Sequence, residues 1–163
     1  LDYELVVPYI PNLRRYARAL AGDRDAADDL VQDTLERAVR KFHLWRPGDL
    51  RAWLFSIMHN VFVNQLRARK IAPALELDEN HPGATTPGWV TDVHDLERGL
   101  ACLAPEQREV VLMVSLEDMS YEEVSRALGV PIGTVMSRLS RGREKLRRYM
   151  DGEPDRTGLK VVR

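Results

Sequence analysis

At 163 residues, with 44% hydrophobic residues and a formal net charge of −1, the chain has apolar content for one or two small cores and is not a uniformly basic nucleic-acid coat. Its single cysteine, Cys102, excludes an internal disulfide and is expected to be a small buried hydrophobe, and His43, His59, His81 and His94 show no spacing to it that suits zinc, so neither metal nor cofactor is expected. No run is long enough to cross a bilayer and no basic-then-apolar leader opens the chain, so a cytoplasmic protein without membrane insertion is expected.

Apolar residues recur at three and four throughout, with no sustained alternation, which predicts an all-α protein. Prolines 8 and 11 limit where the first helix begins; Leu13, Tyr16, Ala17 and Leu20 then form one stripe that ends at Gly22. Asp23 or Arg24 starts the next element, and its helix, roughly Asp25 to Phe42, turns Leu30 or Val31, Thr34, Leu35, Ala38, Val39 and Phe42 inward. Its polar face carries Asp28, Asp29, Gln32, Asp33 and Glu36, followed by Arg37, Arg40 and Lys41. Acids early and bases late complement the helix dipole, and that is sufficient for their order. The density of acids also suits a docking face for a basic partner.

After the turn Arg46-Pro47-Gly48-Asp49, a long helix is predicted from Leu50 to about Arg69. Leu50, Leu54, Ile57, Val61 and Leu66 are its buried stripe, widened by Trp53, Phe55, Met58 and Phe62. Asn60 and Asn64 lie four apart with Arg67 next in line, although asparagine is a poor mid-helix residue. Their amides either bond to neighbouring loops or read unstacked bases, which need edge hydrogen bonds, a stacking surface and a phosphate-neutralising fringe. From Arg37 to Lys70 the ionisable side chains are nearly all Arg and Lys, whereas from Glu76 to Glu97 they are acidic. The intervening stretch 71–91, with three prolines and two glycines, reads as a flexible acidic linker. Beyond it, Asp92 is placed to cap a helix that buries Leu96, Leu100 and Leu103, and Ala104-Pro105-Glu106 starts another carrying Val110, Val111, Val114 and Leu116.

The most informative stretch is Ser120 to Arg148. Ser120 and Glu123 form a capping box at the start of a short helix that buries Val124 and Leu128 and stops at Gly129. Pro131 then suits the entry to a second helix, Ile132 to about Arg148, with Ile132, Val135, Leu139 and Leu146 inward. Arg138, Arg141, Arg143, Lys145, Arg147 and Arg148 face a single acid, Glu144. A basic second helix in a capped helix, glycine turn, helix pair is where a helix-turn-helix protein puts its reading element into the major groove. The remainder, 151–163, reads as a polar tail.

In this order, the segments DDLVQDTLERAVRKF (28–42), LRAWLFSIMHNVFVNQLR (50–67) and LAPEQREVVLMVSLEDMSYEEVSRALGVPIGTVMSRLSRGREKLR (103–147) resemble the extracytoplasmic-function (ECF) sigma factors, the minimal members of the sigma-70 family that keep only regions two and four. The resemblance implies two small helical domains: region 2 over 1–70, for core polymerase binding and −10 recognition and melting, and region 4 over 92–150, for −35 recognition. It implies that Asp28, Asp29, Gln32 and Asp33 dock on the β′ clamp helices of core RNA polymerase, and that region 4 meets the β flap. Trp53, Asn60, Asn64 and Arg67 fall at the −10 element, where a captured flipped base offsets unstacking. Thr134, Ser137, Arg138, Arg141 and Arg143 fall at the −35 element, Ser137 and Arg141 toward bases and Arg138 and Arg143 toward phosphates. An anti-sigma partner is implied as well.

These features together predict an ECF sigma factor with no catalytic residue of its own. Two rivals are a sigma-like decoy that sequesters an anti-sigma factor and a stand-alone helix-turn-helix regulator. Retention of Arg138, Arg141 and Arg143 disfavours the decoy, and the lack of a segment reserved for dimerisation disfavours the regulator.

Overall fold

The structure is a computed structural model that describes residues 2–71 and 91–152. After two short 3-10 turns the described residues form seven helices: α1 (Ile10–Ala21), α2 (Arg24–Lys41), α3 (Leu50–Ile71), α4 (Thr91–Cys102), α5 (Pro105–Ser115), α6 (Tyr121–Leu128) and α7 (Ile132–Met150). The linker expected over 71–91 lies outside the described residues except at its two ends, and the tail does so from residue 153.

Local chemistry sets most boundaries. Gly22 closes α1 with φ 75°, and the Asp23 carboxylate caps α2 by accepting from the Ala26 N–H at 3.3 Å. Asp49 caps α3 in the same way, accepting from Ala52 at 3.0 Å. Pro131 is itself the cap residue of α7, one position earlier than its usual place inside the first turn.

The stripe Leu13, Tyr16, Ala17 and Leu20 is fully buried, as are Leu54, Phe55 and Met58 of α3, with Tyr16 meeting Phe55 edge to face at 4.9 Å. Several expected core positions are on the surface instead. Val39, Leu96 and Ile132 are 55%, 44% and 41% exposed, because each lies at the edge of its helix's apolar face where no neighbouring helix reaches. Cys102, expected inside, is exposed at the end of α4.

The expected halves are both present, α1 to α3 and α4 to α7, and they press against each other. Helix α3 lies along α6, and α1 lies against α5 and α4, so that the buried apolar residues of both halves make one continuous cluster. Within the second half α7 crosses α5 closely at Gly142, where an added Cβ would sit 2.8 Å from Cγ2 of Val111. That approach explains a glycine in mid-helix despite its poor propensity.

The seam between the halves is polar. Arg15 makes a two-pronged pair with Glu117, both bonds 3.1 Å, and Arg51 grips Glu123 at 2.8 Å while donating to the Glu117 carbonyl at 3.2 Å. Arg126 reaches the Asp49 carboxylate at 3.1 Å, and His59 Nδ1 lies 2.6 Å from Glu109. The Arg108 guanidinium, from α5, donates to Leu20 at the end of α1 and to Leu100 and Leu103 around the end of α4, satisfying carbonyls that two helix ends leave orphaned. Sequence reading missed all of these, because each partner lies 50 or more positions from its mate or answers a carbonyl with no sequence signature.

Burial at this seam shifts protonation. It pushes the Glu109 carboxyl up, outweighing the opposing pull of His59 and Arg138, and it pushes the Tyr16 phenol well up, with Glu109 and Glu117 adding to the effect. The Tyr16 hydroxyl is buried without a hydrogen-bond partner. Asp49 is raised by burial but more strongly lowered by the Ala52 N–H and Arg126, and ends below the ordinary carboxylate range.

Two stability outcomes follow from this packing. Gly142→Ala gains helix propensity but must displace the stiff Val111 side chain, and is expected to cost about 1 kcal/mol net, a fall in Tm of about 2–4 °C. For Glu109, a folded-state pKa above the unfolded one means its stabilising contribution is complete in acid and is lost as pH rises through the folded value. Glu109→Gln should therefore gain in Tm relative to wild type as pH rises through and above the ordinary glutamate range. A relative loss over that range in thermal melts would mean that pairing with His59 outweighs burial.

Candidate nucleic-acid interface

Two surfaces collect the side chains suited to nucleic acid, and each is built by one helix held from behind. The first is α3. Trp53, Asn60, Asn64 and Arg67 stand at i, i+7, i+11 and i+14, which puts them on one face of a 3.6-residue helix. Asn60, Asn64 and Arg67 are exposed, and neither asparagine amide has a hydrogen-bond partner among the described residues. The alternative in which these amides serve neighbouring loops therefore has no support among the described residues.

Trp53 is half-buried rather than free. Its ring meets Phe42 edge-on at 6.0 Å, and Phe42 in turn meets Trp45 at 5.3 Å. The resulting aromatic cluster braces the turn 42–49 just ahead of α3. Trp45 was not singled out from sequence, although a tryptophan beside Arg46-Pro47-Gly48 was an available signal. With exposed His43 and Arg46 beside it, the cluster offers a stacking surface next to positive charge.

The second surface is α7, held by the helix-turn-helix geometry. Ser120 Oγ accepts from the Glu123 N–H and the Glu123 carboxylate accepts from the Ser120 N–H, both at 3.1 Å, so the capping box is complete. Gly129 takes φ 66°, and Ser125 Oγ donates to the Val130 carbonyl at 2.6 Å, which fixes the turn. Val124, Ala127, Leu128, Val135 and Leu139 are buried beneath it. This leaves Ser137 and Arg141 facing outward together, with half-buried Thr134 at the near edge. Arg138 and Arg143 flank that face on opposite sides, and Arg143 reaches Ser115 Oγ at 3.5 Å.

Two of the remaining cations of α7 are paired with acids. Arg147 pairs with Glu144 at 2.8 Å and Asp151 at 2.9 Å, and Arg148 pairs with Glu144 at 3.1 Å, which holds the Glu144 carboxyl below its usual range. The basic run thus divides into outward cations near the turn and an end where Arg147 and Arg148 are paired with acids.

A third surface is acidic. Asp28, Asp29, Gln32 and Asp33 are all exposed on α2, opposite the buried Ala27, Leu30, Val31 and Thr34. Beside them Leu35, Glu36, Val39 and Arg40 line an open groove of about 530 Å³. Val39, expected in the core, forms its apolar wall. No group of three or more potential metal ligands occurs among the described residues, and no described helix is long and apolar enough to cross a membrane.

Comparison with known proteins matches both halves. Residues 6–59 match the family described as the Sigma2 domain of PhyR, and residues 94–146 match Sigma-70, region 4. The chain is 37% identical over 155 residues to the ECF RNA polymerase sigma factor SigE of Mycolicibacterium smegmatis, covering 90% of this chain and 60% of that protein. It is 35% identical to the ECF RNA polymerase sigma factor EcfG of Rhodopseudomonas palustris, covering 92% of this chain and 86% of that one. Among solved structures, the sigma factor RpoE in complex with the anti-sigma factor NepR from Bartonella quintana superposes with a TM-score of 0.75 at 32% identity, covering 91% of this chain and 95% of RpoE. With a capped helix-turn-helix behind a basic reading face, and this identity across most of the length of a relative, the chain belongs to the ECF RNA polymerase sigma factors.

Proposed function

We propose that the chain directs core RNA polymerase to two-part promoters, helps to open them, and does so without catalytic chemistry of its own, acting in the cytoplasm where polymerase works. The observation that carries this reading is the pairing, in one chain, of two separate reading faces: Asn60, Asn64 and Arg67 on α3, and Ser137 with Arg141 on α7. Residues 1–70 take the region 2 role and 92–150 the region 4 role.

In this reading Trp53, Asn60 and Asn64 receive unstacked bases of the −10 element, and Arg67 neutralises the adjoining phosphate. The exposed, unsatisfied amides support this, since they offer both donor and acceptor to a base edge. Ser137 and Arg141 read base edges in the −35 major groove, with Thr134 beside them. Arg138 and Arg143, one on each side of that face, are placed for the two phosphate backbones that border a groove. Asp28, Asp29, Gln32 and Asp33 present a fixed acidic face to the β′ clamp helices, and region 4 docks on the β flap. Since RpoE was solved with NepR, an anti-sigma factor is a further partner for this chain.

Opening the duplex requires only that captured bases offset a few kcal/mol, in rough terms, of unstacking. Mounting both faces on one polymerase makes the second contact intramolecular, so each is free to be weak alone.

Transcription in vitro with purified core polymerase on a random-promoter library tests the reading. Transcripts that appear only when the chain is added support it; a chain that captures an anti-sigma factor but yields no transcripts is the decoy instead. Within that assay Arg141→Ala should cost about 1–3 kcal/mol on preferred promoters and relax selection at its base position. Arg143→Ala should weaken all promoters alike and lower the salt dependence of binding by about one unit.

A further inference from the structure

We propose that Gly133 and Met136, near the start of α7, form an apolar notch that takes the C5 methyl group of one thymine in the −35 element, a base preference that Ser137 and Arg141 do not supply. The proposal rests on the −35 role given to α7 above and names a further specificity contact within it.

A glycine inside a helix usually has a reason in the fold. Among the described residues Gly99, Gly133 and Gly142 lie within helices. A Cβ at Gly99 would meet Cδ1 of Leu146 at 2.6 Å, and one at Gly142 would meet Cγ2 of Val111 at 2.8 Å, so both mark close helix crossings. Gly133 has no such neighbour. A Cβ there meets nothing within 4 Å, and Gly133 is not among the positive-φ glycines, which are Gly22, Gly129 and Gly152. Alanine would fit the backbone and would restrict the unfolded chain, so for the free protein glycine is the weaker choice. The use of the missing side chain therefore lies outside the chain. Gly133, Ser137 and Arg141 stand at i, i+4 and i+8 on the exposed row of α7. Their side chains lengthen in that order, from none to a hydroxyl to a guanidinium. A surface laid along this row comes closest to the helix backbone at Gly133, at the end of a recognition helix that meets base edges.

The wall beside this gap is apolar. Met136 follows Gly133 by three positions, the spacing of neighbours on a helix surface, and is 51% exposed. Ile132, one turn before Met136, is uncovered as well. The base edges in the major groove offer donors, acceptors and a single kind of apolar group, the thymine methyl. A flexible, polarizable thioether suits contact with it. The edge of α7 that carries Met136 continues to Arg143, so Met136 stands between the reading row and the side placed for a phosphate strand. The C5 methyl occupies the corresponding part of the groove, on the side of the base nearest its own strand. Ser137 cannot take over this task. Its hydroxyl donates to the Thr134 carbonyl at 3.1 Å, which leaves its oxygen to accept from an adenine or cytosine amino group rather than to donate to thymine O4.

The test uses the full chain with core polymerase on a promoter selected from the random-promoter library. Each thymine of the −35 element, on either strand, is exchanged singly for uracil, which removes the methyl group and keeps every hydrogen-bonding group. At one thymine the exchange should raise the apparent Kd about three- to fourfold, the effect of one buried methyl group, and Met136→Ala should bind the two promoters alike. Gly133→Ala should melt no lower than wild type, yet bind the promoter about tenfold less tightly and lose the thymine-uracil difference, because its added methyl fills the notch. A −35 element without an A·T pair, uracil tolerated at every position, or a uracil penalty that persists in Met136→Ala overturns the notch, as does a Gly133→Ala chain with wild-type affinity. If Met136→Ala weakens binding to core polymerase itself, while wild type treats thymine and uracil promoters alike, the exposed methionine serves a protein contact and the notch is overturned. Scrambling the whole −35 element separates these failures from failure of the underlying reading. Where binding falls on scrambling, the −35 role of α7 stands without the notch; where it does not, both are overturned.

Discussion

One carboxylate links the local and global structure of this protein. Glu123 closes the capping box of α6 through Oε1, and both of its carboxylate oxygens accept from Arg51 on α3 at 2.8 Å. The helix-turn-helix thus begins at a residue that also anchors the other half of the molecule. Arg51 extends the grip by donating to the Glu117 carbonyl, and Glu117 is held on its other side by Arg15. Its side chain is fully buried, and a carboxylate in that position requires the bonded arginine to compensate for lost hydration. Asp118, next in line, adopts φ 53°, a left-handed conformation that aspartate tolerates better than most residues and that turns the chain from α5 toward α6.

From this seam outward, the division of labour among side chains is clear. The charged residues that cross the seam are satisfied by each other, while the candidate nucleic-acid residues are mostly left to solvent. Asn60 and Asn64 have idle amides, and Arg141 projects from α7 while its neighbours Arg147 and Arg148 are neutralised by Glu144 and Asp151. A basic helix therefore does not present uniform positive charge. It concentrates the available charge near the turn, where a recognition helix enters the major groove.

Family membership and the closed arrangement have to be read together. The relatives establish what kind of protein this is, and the apolar cluster running through both halves establishes that the described form is compact.

Much of the fold was legible in the sequence because its signals are local. The α1 stripe, the stop at Gly22, the capping box at Ser120 and Glu123, and the turn at Gly129 all depend on residues within four positions of one another, and helical spacing places Trp53, Asn60, Asn64 and Arg67 on one face without knowledge of anything else. Where the sequence misled, the residue lay at the edge of an apolar face: Val39, Leu96 and Ile132 have core-like side chains, but only the placement of neighbouring helices decides whether anything covers them. The same limit hid Arg15, Arg51, His59 and Arg108, which look like ordinary surface residues until their mates arrive from the far half of the chain. By itself, then, the sequence determined the helices, several of their caps and the candidate faces on α3 and α7, since hydrogen bonding and periodicity act over a few residues. Only the tertiary structure decided which charges are free and which are paired, because pairing depends on distances in space that no spacing along the chain encodes.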